Sequence, residues 1–237
     1  MRFHLANYYD KQLVVFLEFG FPIGLHGKSV LECQDYNHST ALQHSEHVQY
    51  YLDTEVKHLA MYGPYDHKPI LGLHTSPMLS RPKPNSDHRR IIVDLSWPED
   101  GAINSTLSSH MHLNSLCQLT YPTIDQLVDA VVQCERVGEC FMYKVDLERA
   151  FRNLRVDPAD YIHLGLYWND RYYVDTGIPF GLIFGSFFCQ KATDSIRYIM
   201  QSHGFPVYNY SDDIIGISSS LAEAEAGYKF LCALLHD

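Results

Sequence analysis

Nowhere in its 237 residues does the chain hold the run of about 18 apolar residues that a membrane-spanning helix needs. Its start, Met1-Arg2-Phe3-His4, lacks the apolar core of a secretory signal. The expectation is a soluble, intracellular chain with no membrane partner. Six cysteines, at positions 33, 117, 134, 140, 189 and 232, include no Cys-x-x-Cys pair, so neither a disulfide framework nor a zinc finger is expected. They read as free thiols, mostly buried. Of fourteen histidines, His44 and His47 share a helix face, yet no cysteine or acid stands near them at zinc-ligand spacing. Repeats and low-complexity linkers are missing too, and the loosest stretch is the Pro-rich segment 81–88. Positive charge is scarce: 18 Lys and Arg face 28 Asp and Glu, a net charge of −10. That balance argues against a nucleic-acid binder, because affinity for the phosphate backbone comes from cations that release counterions. Any such role has to rest on local strips. Arg81, Lys83, Arg89 and Arg90 form one, and Arg149, Arg152 and Arg155 another.

What the chain does have is apolar substance, 46% of its residues, ample for one sizeable core or for two subdomains. Thr123-x-x-Gln126 is a capping box opening a helix whose Ile124, Leu127, Val128, Val131 and Val132 fall on one face. Residues 162–168 and 171–174 flank the turn Asn169-Asp170 and read as a hairpin. Ser220-x-x-Glu223 starts a last helix, with Leu221, Ala224, Tyr228, Leu231 and Leu235 expected to face inward. The pattern is a mixed chain with helices between strand pairs.

The chemistry sits in three segments. Tyr210-Ser211-Asp212-Asp213 lies between the strand-like runs 207–209 and 214–217, which places two adjacent carboxylates on the tip of a hairpin. Neighbouring acids repel, so such a pair is either a solvated turn or a seat for divalent cations. Upstream, the apolar strand from Phe141 ends in Asp146 and turns into the helix-prone stretch through Phe151. Phosphoryl transfer through two metal ions needs carboxylates that hold the ions about 3.5–4 Å apart. Asp146, Asp212 and Asp213 would supply them, since magnesium takes oxygen ligands and keeps several waters. An acid at a strand end is also an ordinary helix N-cap. Third, Ile178-Pro179-Phe180-Gly181-Leu182 precedes a sparsely charged run, 184–200, that reads as a buried helix.

The order Val145-Asp146-Leu147-x-x-Ala150-Phe151, then Pro179-Phe180-Gly181-Leu182, then Tyr210-x-Asp212-Asp213 resembles the palm of reverse transcriptases. Ser76 to Lys83 with Arg89 to Ser96 looks like the fingers segment of the same family. Lys11-Gln12-Leu13, Gly20-Phe21-Pro22-Ile23-Gly24, Ser45 to Leu59 and Gly63-Pro64-Tyr65 resemble the region before the fingers in DIRS-like retrotransposons, which pair a reverse transcriptase with a tyrosine recombinase. The resemblance implies an α+β right-hand polymerase with a ferredoxin-like palm sheet: a helical extension over 1–60, then fingers and palm over 61–237. The thumb is read as absent, because the chain ends at Asp237 just after the last helix.

The implied activity is addition of deoxynucleotides to a primer 3′-hydroxyl on an RNA or DNA template, with two Mg2+ ions, or Mn2+. The resemblance assigns catalysis and metal binding to Asp146, Asp212 and Asp213, adds the backbone carbonyl of Leu147 as a metal ligand, and gives Tyr210 and Ser211 a supporting place. Lys83 and Arg90 match two fingers cations that grip the triphosphate of a deoxynucleoside triphosphate. Phe151 matches a ring beneath the sugar that rejects a 2′-hydroxyl. Phe180 and Gly181 match a turn packed on nucleotide and template, where glycine permits close backbone approach; many relatives carry Gln in place of Phe180. A full-length element would add a thumb, ribonuclease H and tyrosine recombinase. The alternative is a catalytically inactive or domesticated retrotransposon fragment serving as a binding module.

Overall fold

In chain order the helices and strands of the computed structural model are α1 (Lys11–Phe19), α2 (Ser39–Gln43), α3 (Ser45–Lys57), β1 (Met61–Tyr65), β2 (Met78–Pro82), β3 (Arg89–Val93), α4 (Ile103–Thr106), β4 (Met111–His112), β5 (Ser115–Leu116), α5 (Ile124–Val137), β6 (Phe141–Asp146), α6 (Ala150–Asn153), β7 (Gly165–Trp168), β8 (Arg171–Asp175), α7 (Gly185–Ser202), β9 (Val207–Tyr210), β10 (Asp213–Ser218) and α8 (Leu221–His236). The structure describes residues 2–25, 36–84, 86–108 and 110–236; Cys33 lies outside them. The fold is mixed α and β, and every pairing among these strands is antiparallel. Among the described residues, no helix is long and apolar enough to cross a membrane. The chain divides into two units, one built from Met1–Glu18, Gln118–Ala150 and Ser186–Asp237, the other from Phe19–Cys117 and Phe151–Gly185.

In the first unit β6, β10 and β9 form one sheet with β10 in the middle. Along β6 half-buried Phe141, Tyr143 and Val145 alternate with exposed Met142, Lys144 and Asp146, the two-residue period of a strand with one covered face. Tyr143 sets the packing of α8. Its ring lies across Gly216 on the neighbouring strand, and its hydroxyl reaches Gly227 on α8, so neither glycine has room for a Cβ. The inward stripe of α8 is therefore Ala224, Gly227, Leu231 and Leu234. This corrects the expected stripe: Leu221 and Tyr228 are exposed, and Leu234 takes the place of Leu235. The capping box of α5 forms as expected, Gln126 N–H donating to Thr123 Oγ1 at 3.2 Å and Thr123 N–H to Gln126 Oε1 at 2.9 Å. No residue of this helix is buried, however, and Ile124 is 78% exposed.

The second unit holds the sheet β1-β8-β7 and the two-stranded pairs β2-β3 and β4-β5. Asn169 and Asp170, both with positive φ, make the two-residue turn between β7 and β8. The first strand of this hairpin starts later than expected, because Pro158–His163 winds into a 3₁₀ turn with Pro near its start. Asn37 ties β7 to β2, donating to the Tyr167 carbonyl at 2.7 Å while accepting from Met78 N–H at 2.9 Å.

Arg152 is the largest fully buried side chain of the unit. Its guanidinium meets Glu55 at 2.8 Å, Asp175 at 2.5 Å and the carbonyls of Ala60 and Gly177 at 3.0 and 3.1 Å. Arg155 spends its guanidinium on the Leu59 carbonyl and Thr176. The second basic strip expected from the sequence is thus not a cationic surface: one of its members is interior and another is engaged by the chain's own backbone. The thiols also differ from expectation, since Cys117, Cys134, Cys140 and Cys232 are half-buried and only Cys189 of the described cysteines is fully buried.

Candidate active site

The β9–β10 hairpin closes through a two-residue turn, Ser211-Asp212, with Tyr210 and Asp213 as the paired residues on either side. On its other edge β10 pairs with β6 in a register that sets Asp213 directly opposite Asp146. Opposed residues of an antiparallel pair have Cβ atoms about 4.5–5.5 Å apart, so two acids distant in sequence face each other across one ladder. The ladder runs one step further: Leu147 N–H donates to the Asp212 carbonyl at 2.9 Å. Asp146, Leu147, Asp212 and Asp213 therefore share one end of the sheet.

Electrostatics there follow from like charge. Partial desolvation and then the charges of Asp212 and Asp213 push the pKa of Asp146 above the ordinary carboxylate value. Because Asp146 is exposed, its neighbouring carboxylates are the cause that a bound cation would relieve. One compensating charge is built in. Lys144, two residues before Asp146 and on the same strand face, lies with Nζ 2.8 Å from Asp213 Oδ1, and this contact raises its own pKa. Among the described residues, no three His, Cys, Asp or Glu side chains stand as a ready metal cage. The acids meet as an opposed pair with Asp212 beside them at the turn, and Lys144 holds one oxygen of Asp213. Hard carboxylate oxygens suit magnesium, which keeps waters and takes substrate phosphates as further ligands, so the donor set fits such an ion without a closed cage. Tyr210 is 58% exposed, its ring 4.5 Å from that of Tyr121 between centroids.

The other expected residues lie in the second unit. Arg81 and Arg90 are opposed across β2 and β3, both exposed, and Lys83 is exposed just beyond β2. Directly opposed like charges destabilise a strand pair, and an anion relieves them. Arg89 points elsewhere, its Nε donating to Ser80 Oγ at 2.5 Å. Phe151 and Phe180 come together, ring centroids 5.3 Å apart and tilted by 41°, with Phe180 45% exposed.

Gly181 has a φ of +112°, and a Cβ there would collide with the Val93 carbonyl oxygen. The close approach that this glycine permits is thus to the chain's own β3. Asn104 clamps the same turn, its Nδ2 donating to the Gly181 carbonyl at 2.7 Å and its Oδ1 accepting from Ile183 N–H at 3.0 Å. Gly181→Ala is expected to destabilise the chain by about 2–4 kcal/mol in urea unfolding, because backbone strain and a backbone clash coincide. A loss under about 0.5 kcal/mol would show that the turn moves freely.

The sequence profile described as "Reverse transcriptase (RNA-dependent DNA polymerase)" matches residues 82–237. The chain belongs to the reverse transcriptase family. Among solved structures, the native protease–reverse transcriptase of prototype foamy virus is similar at a TM-score of 0.58 and 17% identity, over 91% of this chain and 24% of that one. The foamy viral protease–reverse transcriptase in complex with double-stranded DNA gives a TM-score of 0.62 at 16% identity, over 91% and 33%. Identities this low speak for the fold alone. This reverse transcriptase chain spans about a quarter to a third of the length of those structures. No curated protein matches it.

Sequence reasoning missed three residues that hold the segments described above in place: Lys144 and Gln190 in the first unit and Asn104 in the second. Lys144 was findable, since a cation two residues before an acid on a strand shares its face. Asn104 carried no local signal, because its partners lie far along the chain. Gln190 on α7 is buried and accepts a hydrogen bond from Ser211 N–H at 3.0 Å, and nothing local in the sequence of that helix sets it apart from its other polar residues.

Proposed function

We propose that the chain is the fingers and palm of a DIRS-like retrotransposon reverse transcriptase, an RNA-directed DNA polymerase that adds deoxynucleotides to a primer 3′-hydroxyl. The observation that carries this reading is the register of Asp213 opposite Asp146, with Asp212 tied to Leu147 at the same sheet end. In this proposal Asp146, Asp212 and Asp213, with the Leu147 carbonyl, hold two Mg2+ or Mn2+ ions. Bound there, such ions lower the pKa of an attacking hydroxyl and neutralise a leaving pyrophosphate.

The chain's own groups do the rest. Lys144 balances the charge of Asp213 and gives way as a cation approaches. The exposed strip of Arg81, Lys83 and Arg90 suits a triphosphate, Arg90 through a planar fork and Lys83 as a point charge. The Phe151 ring, stiffened against Phe180, presents a flat surface for a sugar and leaves no room for a 2′-hydroxyl. Template and primer would be RNA or DNA, and the sheet β6-β10-β9 would be the core of a ferredoxin-like palm. Further domains, a thumb, ribonuclease H and tyrosine recombinase, belong to the proposal for a full-length element.

Thermal unfolding in a manganese or magnesium titration tests it. A ligand that binds only the folded chain adds about 2.7 kcal/mol at a hundredfold excess over Kd, roughly 5–10 °C for a chain of this size. The rise is expected in the wild type and absent in Asp146→Asn. It is also expected to shrink as the pH is lowered, because the raised pKa of Asp146 lets protons compete with the ion. A wild type that does not respond would favour a fold kept for binding alone.

A further inference from the structure

The turn that carries Asp212 and Asp213 is held in a conformation its sequence does not favour. Ser211 has a φ of 51°, at a hairpin position where glycine is the usual occupant. Something outside the turn has to stabilise it. Ser211 N–H donates to Gln190 Oε1 at 3.0 Å, and Gln190, 2% exposed, comes from the interior of α7. One helical turn further on, Asp194 Oδ1 accepts from Gln190 Nε2 at 3.0 Å. A carboxylate only accepts, so Asp194 fixes the amide with its NH2 inward and its oxygen toward Ser211.

The same Asp194 oxygen accepts from Asn209 Nδ2 at 3.0 Å and lies 3.2 Å from Arg197 Nη2. Asn209 Nδ2 also donates to Thr193 Oγ1 at 2.9 Å, while its own Oδ1 is buried with no hydrogen-bond partner among the described residues. That orphaned oxygen shows which contact governs: the Asn209 amide is turned to serve Asp194 and Thr193 even though its carbonyl end goes unmatched. Asp194 thus orients two amides, one from α7 and one from β9, and through them grips both the hairpin strand and its tip.

Resting on the reading of this hairpin as the metal-holding element, we propose that Gln190, oriented by Asp194, is a positioning residue that keeps Ser211 left-handed and so aims Asp212 and Asp213 at their ions. Gln190 touches neither substrate nor metal in this account. It acts through the turn, which separates it from a buried amide that only adds stability.

The test uses the full chain and Gln190→Met, which keeps side-chain length and removes the acceptor. Amide hydrogen exchange at Ser211 and Asp212 is expected to quicken about tenfold while β6 and α8 keep their rates, since one specific hydrogen bond is lost. The manganese concentration at half-maximal thermal shift rises about fivefold or more, and kcat for primer extension falls about tenfold with KM for the nucleotide nearly unchanged. Ser211→Gly accepts the positive φ without strain, so in that background Gln190→Met has at most about a twofold further effect on the manganese midpoint. Asp194→Asn, which frees the Gln190 amide to flip, shows the same pattern more weakly and carries the test if Gln190→Met does not fold.

Unchanged exchange at Ser211 overturns the proposal. So does exchange that quickens equally along α7, β6 and β10, which marks a merely structural amide. A wild type that neither extends a primer nor responds to manganese defeats the polymerase reading, and the exchange rates still decide whether Gln190 holds the turn.

Discussion

Asp212→Ala is expected to cut magnesium-dependent primer extension at least about a thousandfold, equivalent to about 4 kcal/mol of transition-state stabilisation at 1.36 kcal/mol per decade. The substitution is chemically clean. Asp212 is tied into the fold through its carbonyl, which accepts from Leu147 N–H, and an alanine there keeps that bond. What disappears is one negative charge from a group of three, the charge next after desolvation among the causes that raise Asp146. The metal-free fold is expected to lose nothing measurable, with a thermal unfolding midpoint within about 2 °C of wild type. Asp212→Asn keeps the side-chain size, removes the same charge and should be nearly as inactive. Extension that persists in Asp212→Ala at more than about a tenth of the wild-type rate would reject the assigned chemistry.

Arg152→Met is expected to cost about 3–5 kcal/mol of folding stability, a large share of the roughly 5–15 kcal/mol that a domain has. The reason is burial. Arg152 is 2% exposed and Asp175 1%, so the substitution takes the guanidinium away from a carboxylate that water cannot reach. The cost should depend on pH in a definite sense. Burial pushes Asp175 up to about 6, against the pull of Arg152, so in the wild type the folded chain holds that proton more tightly than the unfolded one between about pH 4 and 6. Stability from this group is fully present below the unfolded pKa and is lost as the pH rises through the folded value. Without the guanidinium the folded pKa climbs further. The deficit of Arg152→Met is therefore smallest near pH 5 and largest at pH 8, to be read from urea unfolding at both. A deficit equal at the two pH values, or below about 1 kcal/mol, would mean that the cluster is solvated.

How much of this was legible in the sequence depended on how local the cause was. The β9–β10 hairpin was readable because its turn residues and the apolar runs around them are contiguous. So was the capping box at Thr123 and Gln126, two hydrogen bonds closed within four residues. The α7 run was readable as a helix, with Phe188, Ile196, Ile199 and Met200 all buried. The register of Asp213 on Asp146 was not, since nothing in either segment names its partner; order along the chain and the family likeness suggested it. Arg152 was misread for the same reason. Spaced three residues from Arg149 and Arg155, it looks like part of a cationic face, and only the return of Glu55 and Asp175 around it makes it interior. The stripe of α8 went wrong by one contact: Tyr143 demands a glycine opposite its hydroxyl, which rotates the helix so that Gly227 faces the sheet and Tyr228 does not. Long-range contacts decide such details, and a period in the sequence cannot show them.

The most direct test of the whole account is an anomalous-difference map from crystals of the chain soaked with Mn2+ and a deoxynucleoside triphosphate. The account predicts manganese in bonding contact with carboxylate oxygens of both Asp146 and Asp213, with Lys144 displaced from Asp213. Manganese absent from those oxygens, with the Lys144–Asp213 pair intact, would contradict it.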